Sequence, residues 1–176
     1  MSTQPEAALW TPPSALKSQE PDALEALKAV SLFAELRPAE LKKILRIMHK
    51  RTYQAGEVIF REGEPGAGMY VIQHGAVNVV IKLPDGGEKV LVSLGDKQFF
   101  GEMALLDDAP RSATCVATQK TELLGFFVPD LEDLVERDAR LGSRVLWNVA
   151  KLMATRLRAM NENLRAQRSA TVPETK

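Results

Sequence analysis

The spacing of apolar residues changes to a period of two between residues 49 and 128, and this change is the strongest constraint on the fold. Short apolar runs follow one another at residues 58–60, 69–72, 77–81, 90–94, 113–117 and 123–128. Turn residues separate these runs, and the Pro-Asp-Gly-Gly stretch at 84–87 is typical of a hairpin. Many short strands at such spacing predict an antiparallel sandwich, roll or barrel.

Helical spacing occurs on both sides of this strand series. We expect a first helix capped by Asp22, a second that begins near Pro38, and C-terminal helices over 131–137 and about 140–168. One or two helical turns are expected inside the series at 101–106. The sequence therefore predicts an α+β fold, an antiparallel β-roll of the jelly-roll, cupin-like type. N-terminal helices, a short helix within the roll and a long C-terminal helix complete it.

The chain divides into one domain and two tails on this interpretation. Residues 1–21 contain four prolines and few apolar side chains, so we expect a disordered tail. The domain spans 22–168, with N-terminal helices over 22–50, the β-roll over 51–128 and C-terminal helices over 129–168. Residues 169–176 form the second tail.

Charge and cysteine content exclude several classes of function. Lys and Arg together number 23, as do Asp and Glu, so no basic surplus marks the chain as a nucleic-acid binder. The single cysteine, Cys115, makes no internal disulfide, and no Cys/His set has metal-site spacing. No signal peptide and no apolar run of membrane-spanning length is present. We therefore expect a cytoplasmic protein without a metal or a membrane span.

The stretch from Phe100 to Thr114, here called the cassette, carries the chemistry. Gly101 lets the chain turn tightly out of a strand, and the helical turn after it offers free N–H groups to an anion. Arg111 brings a permanent, fork-shaped cation to the same region. Glu102 offers a carboxylate that accepts hydrogen bonds from hydroxyl groups. This pairing fits a ligand with both a phosphate and a sugar hydroxyl, such as a ribonucleotide with a compact phosphate.

The cassette resembles the phosphate-binding cassette of the cyclic nucleotide-binding domain. Catabolite activator proteins, regulatory subunits of cAMP-dependent protein kinase and cyclic-nucleotide-gated channels share that domain. The resemblance runs over residues 31–164 and includes the Ala-Gly-Glu-Val-Ile-Phe stretch at 55–60 and the turn at 63–70. An ordinary ion pair between Glu102 and Arg111 is the alternative for those two residues taken alone.

The resemblance implies a role for each matching residue. Arg111 would bind the exocyclic oxygens of the cyclic phosphate, and Glu102 would accept a hydrogen bond from the ribose 2′-OH. Backbone N–H groups of the cassette would assist, and strand side chains would line the base. The implied cassette and strand residues are Gly101, Met103, Ala104, Ser112, Ala113, Val79 and Leu91.

The resemblance also implies that the long helix contacts the base. The positions concerned are Met160 and Asn161, and Arg156 approaches from the same helix. Met160 departs from the hydroxyl-bearing pattern of bacterial activators, so it would contact the base only through apolar atoms. Ser112 fits either base. The expected ligand is cAMP, with cGMP as the alternative.

An apolar stripe on the long helix leaves two arrangements open. Its members recur three or four residues apart: Leu146, Val149, Met153, Leu157, Met160 and Leu164. The helix either lies on its own β-roll or pairs in parallel across a homodimer through residues 140–168. Eight Lys or Arg against two acids between 137 and 168 make this region locally basic. Because only eight residues follow Arg168, we expect no binding of operator DNA.

The sequence therefore predicts a cyclic-nucleotide sensor that acts on an unknown protein effector, and not an enzyme. Ligand binding would order the cassette and rearrange the C-terminal helices. The alternative is an interaction or scaffold protein that keeps the β-roll and ignores nucleotides.

Overall fold

Two antiparallel sheets and four helices make up the fold in a computed structural model, which describes residues 10–11 and 20–170. The helices are α1 (Glu20–Ala29), α2 (Pro38–Ile47), α3 (Val128–Arg137) and α4 (Ala139–Ala170). The strands are β1 (Trp10–Thr11), β2 (His49–Tyr53), β3 (Val58–Phe60), β4 (Gly68–His74), β5 (Val77–Lys82), β6 (Glu88–Leu94), β7 (Phe99–Phe100), β8 (Thr114–Ala117) and β9 (Thr121–Phe127). A short 3-10 helix, Glu102–Leu105, lies between β7 and β8.

The strands form the predicted β-roll. One sheet has the order β1-β2-β9-β4-β7 and the other the order β3-β8-β5-β6, so strands distant in sequence pair as neighbours. Because side chains alternate along a strand, β4 and β9 contribute to two cores at once. Val71 and Phe126 face a core shared with the helices, whereas Tyr70, Ile72 and Leu123 face the interior of the roll. The α+β prediction is confirmed.

The first half of α4 is packed on the domain, whereas its exposed second half is joined to the cassette by Arg156. Leu141, Val145 and Val149 are fully buried, and Arg144 bonds both carboxylate oxygens of Glu40 on α2 at 2.7 and 2.8 Å. From residue 155 to residue 166 every side chain is exposed. The predicted apolar stripe is therefore split, because Val149 packs on the domain while its C-terminal members face outward.

Element boundaries differ from the predicted ones by a few residues. Helix α1 begins at Glu20, which places Asp22 in its first turn instead of at the cap. Helix α2 ends at Ile47 and His49 already belongs to β2. The sequence His-Lys-Arg-Thr-Tyr hides this strand, because Lys50 is buried as the partner of Glu122 at 2.6 Å.

Part of the expected N-terminal tail belongs to secondary structure. Strand β1 pairs with β2, and α1 starts within the range 1–21. Residues 1–9, 12–19 and 171–176 lie outside the described residues, so the tails and the domain limits stay predictions. None of the described helices has an apolar stretch long enough to cross a bilayer.

Gly142 lets α4 approach α3 closely. A Cβ atom there would lie 2.6 Å from Cγ2 and 2.7 Å from Cα of Val135. Side chains do not tolerate such distances, so any larger residue must push the two helices apart.

We predict that Gly142→Ala destabilises the protein by roughly 1–3 kcal/mol, because the clash with Val135 outweighs the gain in helix propensity of about 1 kcal/mol. Equilibrium urea unfolding measures this change. The control Ser143→Ala, on the exposed neighbour, should be neutral or slightly stabilising. A Gly142→Ala protein more stable than the wild type would contradict the close approach.

Candidate functional site

A cavity of about 370 Å³ opens between the cassette and the strands of the roll. This volume falls within the range of small-molecule sites, roughly 300–1,000 Å³. Its polar part comes from the cassette, and its apolar part from strands of both sheets. The lining residues are Phe60, Val79, Val92, Leu94, Phe99, Phe100, Gly101, Glu102, Met103, Ala104, Asp107, Ala109, Pro110, Arg111, Ser112, Ala113, Cys115 and Arg156.

Arg111 lies at the cavity with its side chain almost fully buried. Its Nη1 donates to the carbonyl oxygen of Gly101 at 3.2 Å, and its Cζ lies 4.0 Å from the centre of the Phe60 ring. Its backbone is bonded to the turn before β4, since Arg111 N donates to Glu64 O and Gly63 N donates to Arg111 O, both at 2.8 Å. The guanidinium is therefore held by backbone and aromatic contacts.

No carboxylate of the described residues forms a salt bridge with this guanidinium, and its buried Nε has no hydrogen-bond partner among them. Burial lowers the pKa of Arg111 below its ordinary value, although arginine still stays charged. A buried charge that is not paired costs free energy, and buried polar atoms in proteins are almost always bonded. This arrangement favours an anion in the cavity.

Gly101 is required by the geometry of the cassette. Its φ of 80° is the left-handed conformation that glycine adopts without strain. A Cβ atom there would lie 2.8 Å from Nη1 of Arg111 and 3.2 Å from the carbonyl oxygen of Gly68. The 3-10 helix that follows brings Ala104 onto Gly66, where no side chain fits. The cassette backbone therefore sits as close to Arg111 as an amino acid chain allows.

Glu102 is 2% exposed, and its partner comes from α4. Its Oε1 accepts a hydrogen bond from Nη1 of Arg156, whose side chain is about half exposed. The Arg156 guanidinium also lies 5.7 Å from the centre of the Phe99 ring. The salt bridge neutralises the buried carboxylate and joins the cassette to the C-terminal helix.

The strand wall differs from the predicted one at one residue. Val79 lines the cavity as expected, but Leu91 does not, and Val92 and Leu94 take that place. Val79 pairs with Val92, and a bulge then shifts the register between Val79 and Val80. Because neighbouring side chains of a strand point to opposite faces, an error of one residue selects the wrong face.

Met160 and Asn161 do not reach the cavity. Met160 is 61% exposed and borders a separate open groove on α4, together with Arg156, Ala159, Asn163 and Leu164. Asn161 borders neither the cavity nor this groove. The helix leaves the domain after Arg156, which carries both residues away from the roll. The structure thus places the predicted cassette residues, Val79 and Arg156 at the cavity. It places Met160, Asn161 and Leu91 outside the cavity.

Several aromatic residues of the site were missed from the sequence. Phe60 and Phe100 meet at 5.8 Å beside Arg111, and Phe99 lies next to Arg156. The apolar pattern marks them only as strand residues, so nothing in it distinguishes them from core.

Of the cysteine and the two histidines, the cysteine alone lines the cavity. Burial raises the pKa of the Cys115 thiol to about 12, so Cys115 stays protonated. His49 and His74 lie outside the cavity lining. Among residues 10–11 and 20–170 no three His, Cys, Asp or Glu side chains come close enough to hold a metal ion.

Comparisons with known proteins agree with this site. Residues 50–138 match the family model described as cyclic nucleotide-binding domain. The cyclic AMP receptor protein of Thermus thermophilus is 38% identical over 132 residues, which cover 75% of this chain and 59% of the relative. The chain thus spans less than two thirds of that protein's length.

Solved structures show the same fold. The N-terminal domain of a transcriptional regulator from Streptomyces coelicolor superposes with a TM-score of 0.70 at 31% identity, covering 79% of this chain and 94% of that one. The regulatory domain of Toxoplasma gondii cAMP-dependent protein kinase, solved with cAMP, gives 0.62 at 28% identity, covering 66% and 44%. With its sequence and its fold in agreement, this chain belongs to the cyclic nucleotide-binding domain family.

Proposed function

We propose that this chain is a cAMP-binding regulatory module that acts on a protein effector through its C-terminal helices. The observation that carries the proposal is Arg111, a buried cation whose Nε has no partner among the described residues, at the wall of a cavity of ligand size. A singly charged cyclic phosphate supplies the missing anion. The domain is proposed to bind its ligand, not to transform it.

Each part of a cyclic ribonucleotide has a counterpart in the cavity. Arg111 would donate to the exocyclic phosphate oxygens, and Glu102 would accept from the ribose 2′-OH. The apolar side chains Val79, Val92 and Leu94 would cover the base. Charge-assisted hydrogen bonds contribute roughly 1.5–3 kcal/mol each. Two or three such hydrogen bonds, together with burial of the base, account for a binding free energy of ~8 kcal/mol, which corresponds to a micromolar Kd.

Arg156 removes the electrostatic conflict between Glu102 and a phosphate. Without a cation nearby, the buried carboxylate would repel the phosphate of the ligand. The salt bridge with Arg156 uses Oε1 of Glu102, which leaves Oε2 to accept from a hydroxyl group. The same cation adds an attraction for the incoming anion.

Relatives support cAMP as the preferred ligand. The Thermus thermophilus relative is named a cyclic AMP receptor protein, and the Toxoplasma gondii regulatory domain was solved with cAMP. Ser112 fits both bases, so cGMP is the competing ligand in the test below.

The signal would leave the site through α4. Arg156 joins this helix to Glu102, and a ligand that changes the salt bridge changes the position of the helix. Ligand binding then shifts the population toward the arrangement with the higher affinity. The effector would recognise that arrangement in trans, in the cytoplasm.

The exposed face of α4 is proposed to pair with a second copy of the chain. Residues 147, 150, 154, 157, 161 and 164 recur at heptad spacing, and Trp147, Leu157 and Leu164 are 66, 60 and 49% exposed. Flanking positions 151, 158 and 165 are all basic, whereas 153 and 160 are methionines and 167 is glutamine. In a parallel pair, the basic positions of one helix lie beside the uncharged positions of its partner. In an antiparallel pair, the basic positions of the two helices would face each other and repel.

We predict saturable binding of cAMP, tighter than that of cGMP, in calorimetric titrations. Arg111→Ala should weaken cAMP binding by about 100-fold or more, because it removes two charge-assisted hydrogen bonds. Arg61→Ala is the matched control, since Arg61 is exposed and lies outside the cavity lining.

A second set of titrations tests the contact between Glu102 and the ribose 2′-OH. Glu102→Gln should weaken cAMP and leave 2′-deoxy-cAMP nearly unaffected. No binding of either cyclic nucleotide to the folded wild type would reject the proposal and favour a nucleotide-independent scaffold.

For the homodimer we predict that Leu157→Lys yields monomers in light scattering, because it places two like charges in the seam. Glu162→Lys, off the seam, should leave the dimer intact. A wild-type chain that is monomeric at tens of micromolar would contradict the pairing.

A further inference from the structure

Four aromatic rings form a continuous cluster inside the roll, here called the aromatic stack, in which Tyr70 stacks on Phe60 and Phe100 and meets Phe127 edge to face. Tyr70 lies at its centre, with ring centres 5.6 Å from Phe100, 5.7 Å from Phe127 and 6.2 Å from Phe60. Phe60 and Phe100 line the cavity, but Tyr70 and Phe127 do not. Tyr70 therefore joins rings that a ligand can reach to a ring that it cannot.

One end of the stack carries the charge of the site. The Cζ atom of Arg111 lies over the Phe60 ring, 4.0 Å from its centre, which is a cation–π contact. This is a short contact for such a pair, and it is strong where water is excluded. An anion would bind the in-plane N–H groups of this guanidinium, and any displacement of the guanidinium would be passed to the Phe60 ring that packs on it.

The other end of the stack is the N-terminus of α3. Phe127 precedes this helix, and its N–H donates to Oδ2 of Asp130 at 2.9 Å. The other oxygen of Asp130 lies 3.1 Å from Nε2 of His49, whose ring is 5.4 Å from that of Phe127. Arg51 lies over the same ring at 5.4 Å. A displacement of Phe127 thus reaches the residue that caps α3.

The aromatic stack would pass on displacements of its rings through packing, and no change in the ionisation of Tyr70 is needed. Tyr70 is 6% exposed, and burial raises the pKa of its hydroxyl to about 12, so it stays neutral. Close-packed interiors pass on small displacements because they contain little free volume. From α3 the displacement continues to α4 through the contact of Val135 with Gly142.

We propose that Tyr70 is a positioning residue that couples the occupancy of Arg111 to the cap of α3. This inference rests on the proposed function, since it needs a ligand at Arg111. Together with the salt bridge of Glu102 and Arg156, it gives the C-terminal helices two separate connections to the cassette. The phosphate of the ligand would act on α3 through Arg111 and the aromatic stack. The ribose would act on α4 directly through Glu102 and Arg156.

Hydrogen exchange of residues 128–137, measured with and without saturating cAMP, tests the coupling. In the wild type we expect cAMP to change the exchange rates at the start of α3 by at least about threefold. Tyr70→Leu should keep cAMP affinity within about fivefold and lose this change. Ile72→Ala, on the same strand and facing the same core but outside the stack, should retain it.

Reciprocity supplies a second measurement that leaves the aromatic core intact. If cAMP shifts the cap, weakening the cap by Asp130→Asn should in turn change cAMP affinity, because the two equilibria are linked. We expect Asp130→Asn to change the cAMP affinity of the wild type at least threefold and to leave the affinity of the Tyr70→Leu variant unchanged.

The outcomes separate the two proposals. A wild type that does not bind cAMP refutes the function. Normal binding combined with an unchanged response in Tyr70→Leu, or with no effect of Asp130→Asn, refutes the coupling alone. If Tyr70→Leu does not fold, the Asp130→Asn result decides.

Discussion

A buried guanidinium that forms no salt bridge with a carboxylate of residues 10–11 and 20–170 organises the site. The roll holds Arg111 by its backbone at Gly63 and Glu64, by the carbonyl of Gly101 and by the face of Phe60. None of these contacts supplies a negative charge, so the cost of burial is only partly offset. The glycine at 101 and the closeness of the cassette follow from the need to surround this one side chain.

The second constraint is that the site is not separate from the C-terminal helices. Glu102 is buried, and its cation comes from α4, so the cassette and the helix stabilise each other. Gly142 and Arg144 fix the start of the same helix, while residues 157–166, which follow Arg156, are exposed. A module that senses a ligand at one end and presents an exposed helix at the other is a natural consequence of this arrangement.

The cassette could be predicted from the sequence because its chemistry is local. Gly101, Glu102 and Arg111 lie within one turn-helix-turn stretch, so their common location at the cavity follows from the local sequence. The strand wall could not be predicted to the residue. A bulge between Val79 and Val80 decides whether Leu91 or Val92 faces the cavity, and composition does not reveal a bulge. The location of Met160 and Asn161 outside the cavity could not be predicted either, because helical periodicity gives the faces of α4 but not the point at which the helix leaves the domain, and their contact with the base stays a prediction. Strand β2 was hidden because its polar residues have partners on other elements, since Lys50 is buried against Glu122 on β9 and the partly buried His49 contacts Asp130 on α3.

The most direct test of this account is the stability of Arg111→Met, measured by urea unfolding with and without cAMP. A buried charge kept for a ligand should be replaceable by an apolar side chain of similar length. We therefore expect the ligand-free variant to be as stable as the wild type, or more stable by about 1–4 kcal/mol. Saturating cAMP should stabilise the wild type by about 2.7 kcal/mol at 100 times Kd and leave the variant unchanged. A ligand-free variant that loses more than about 2 kcal/mol, or that cAMP stabilises as much as the wild type, would show that Arg111 serves the fold and not a ligand.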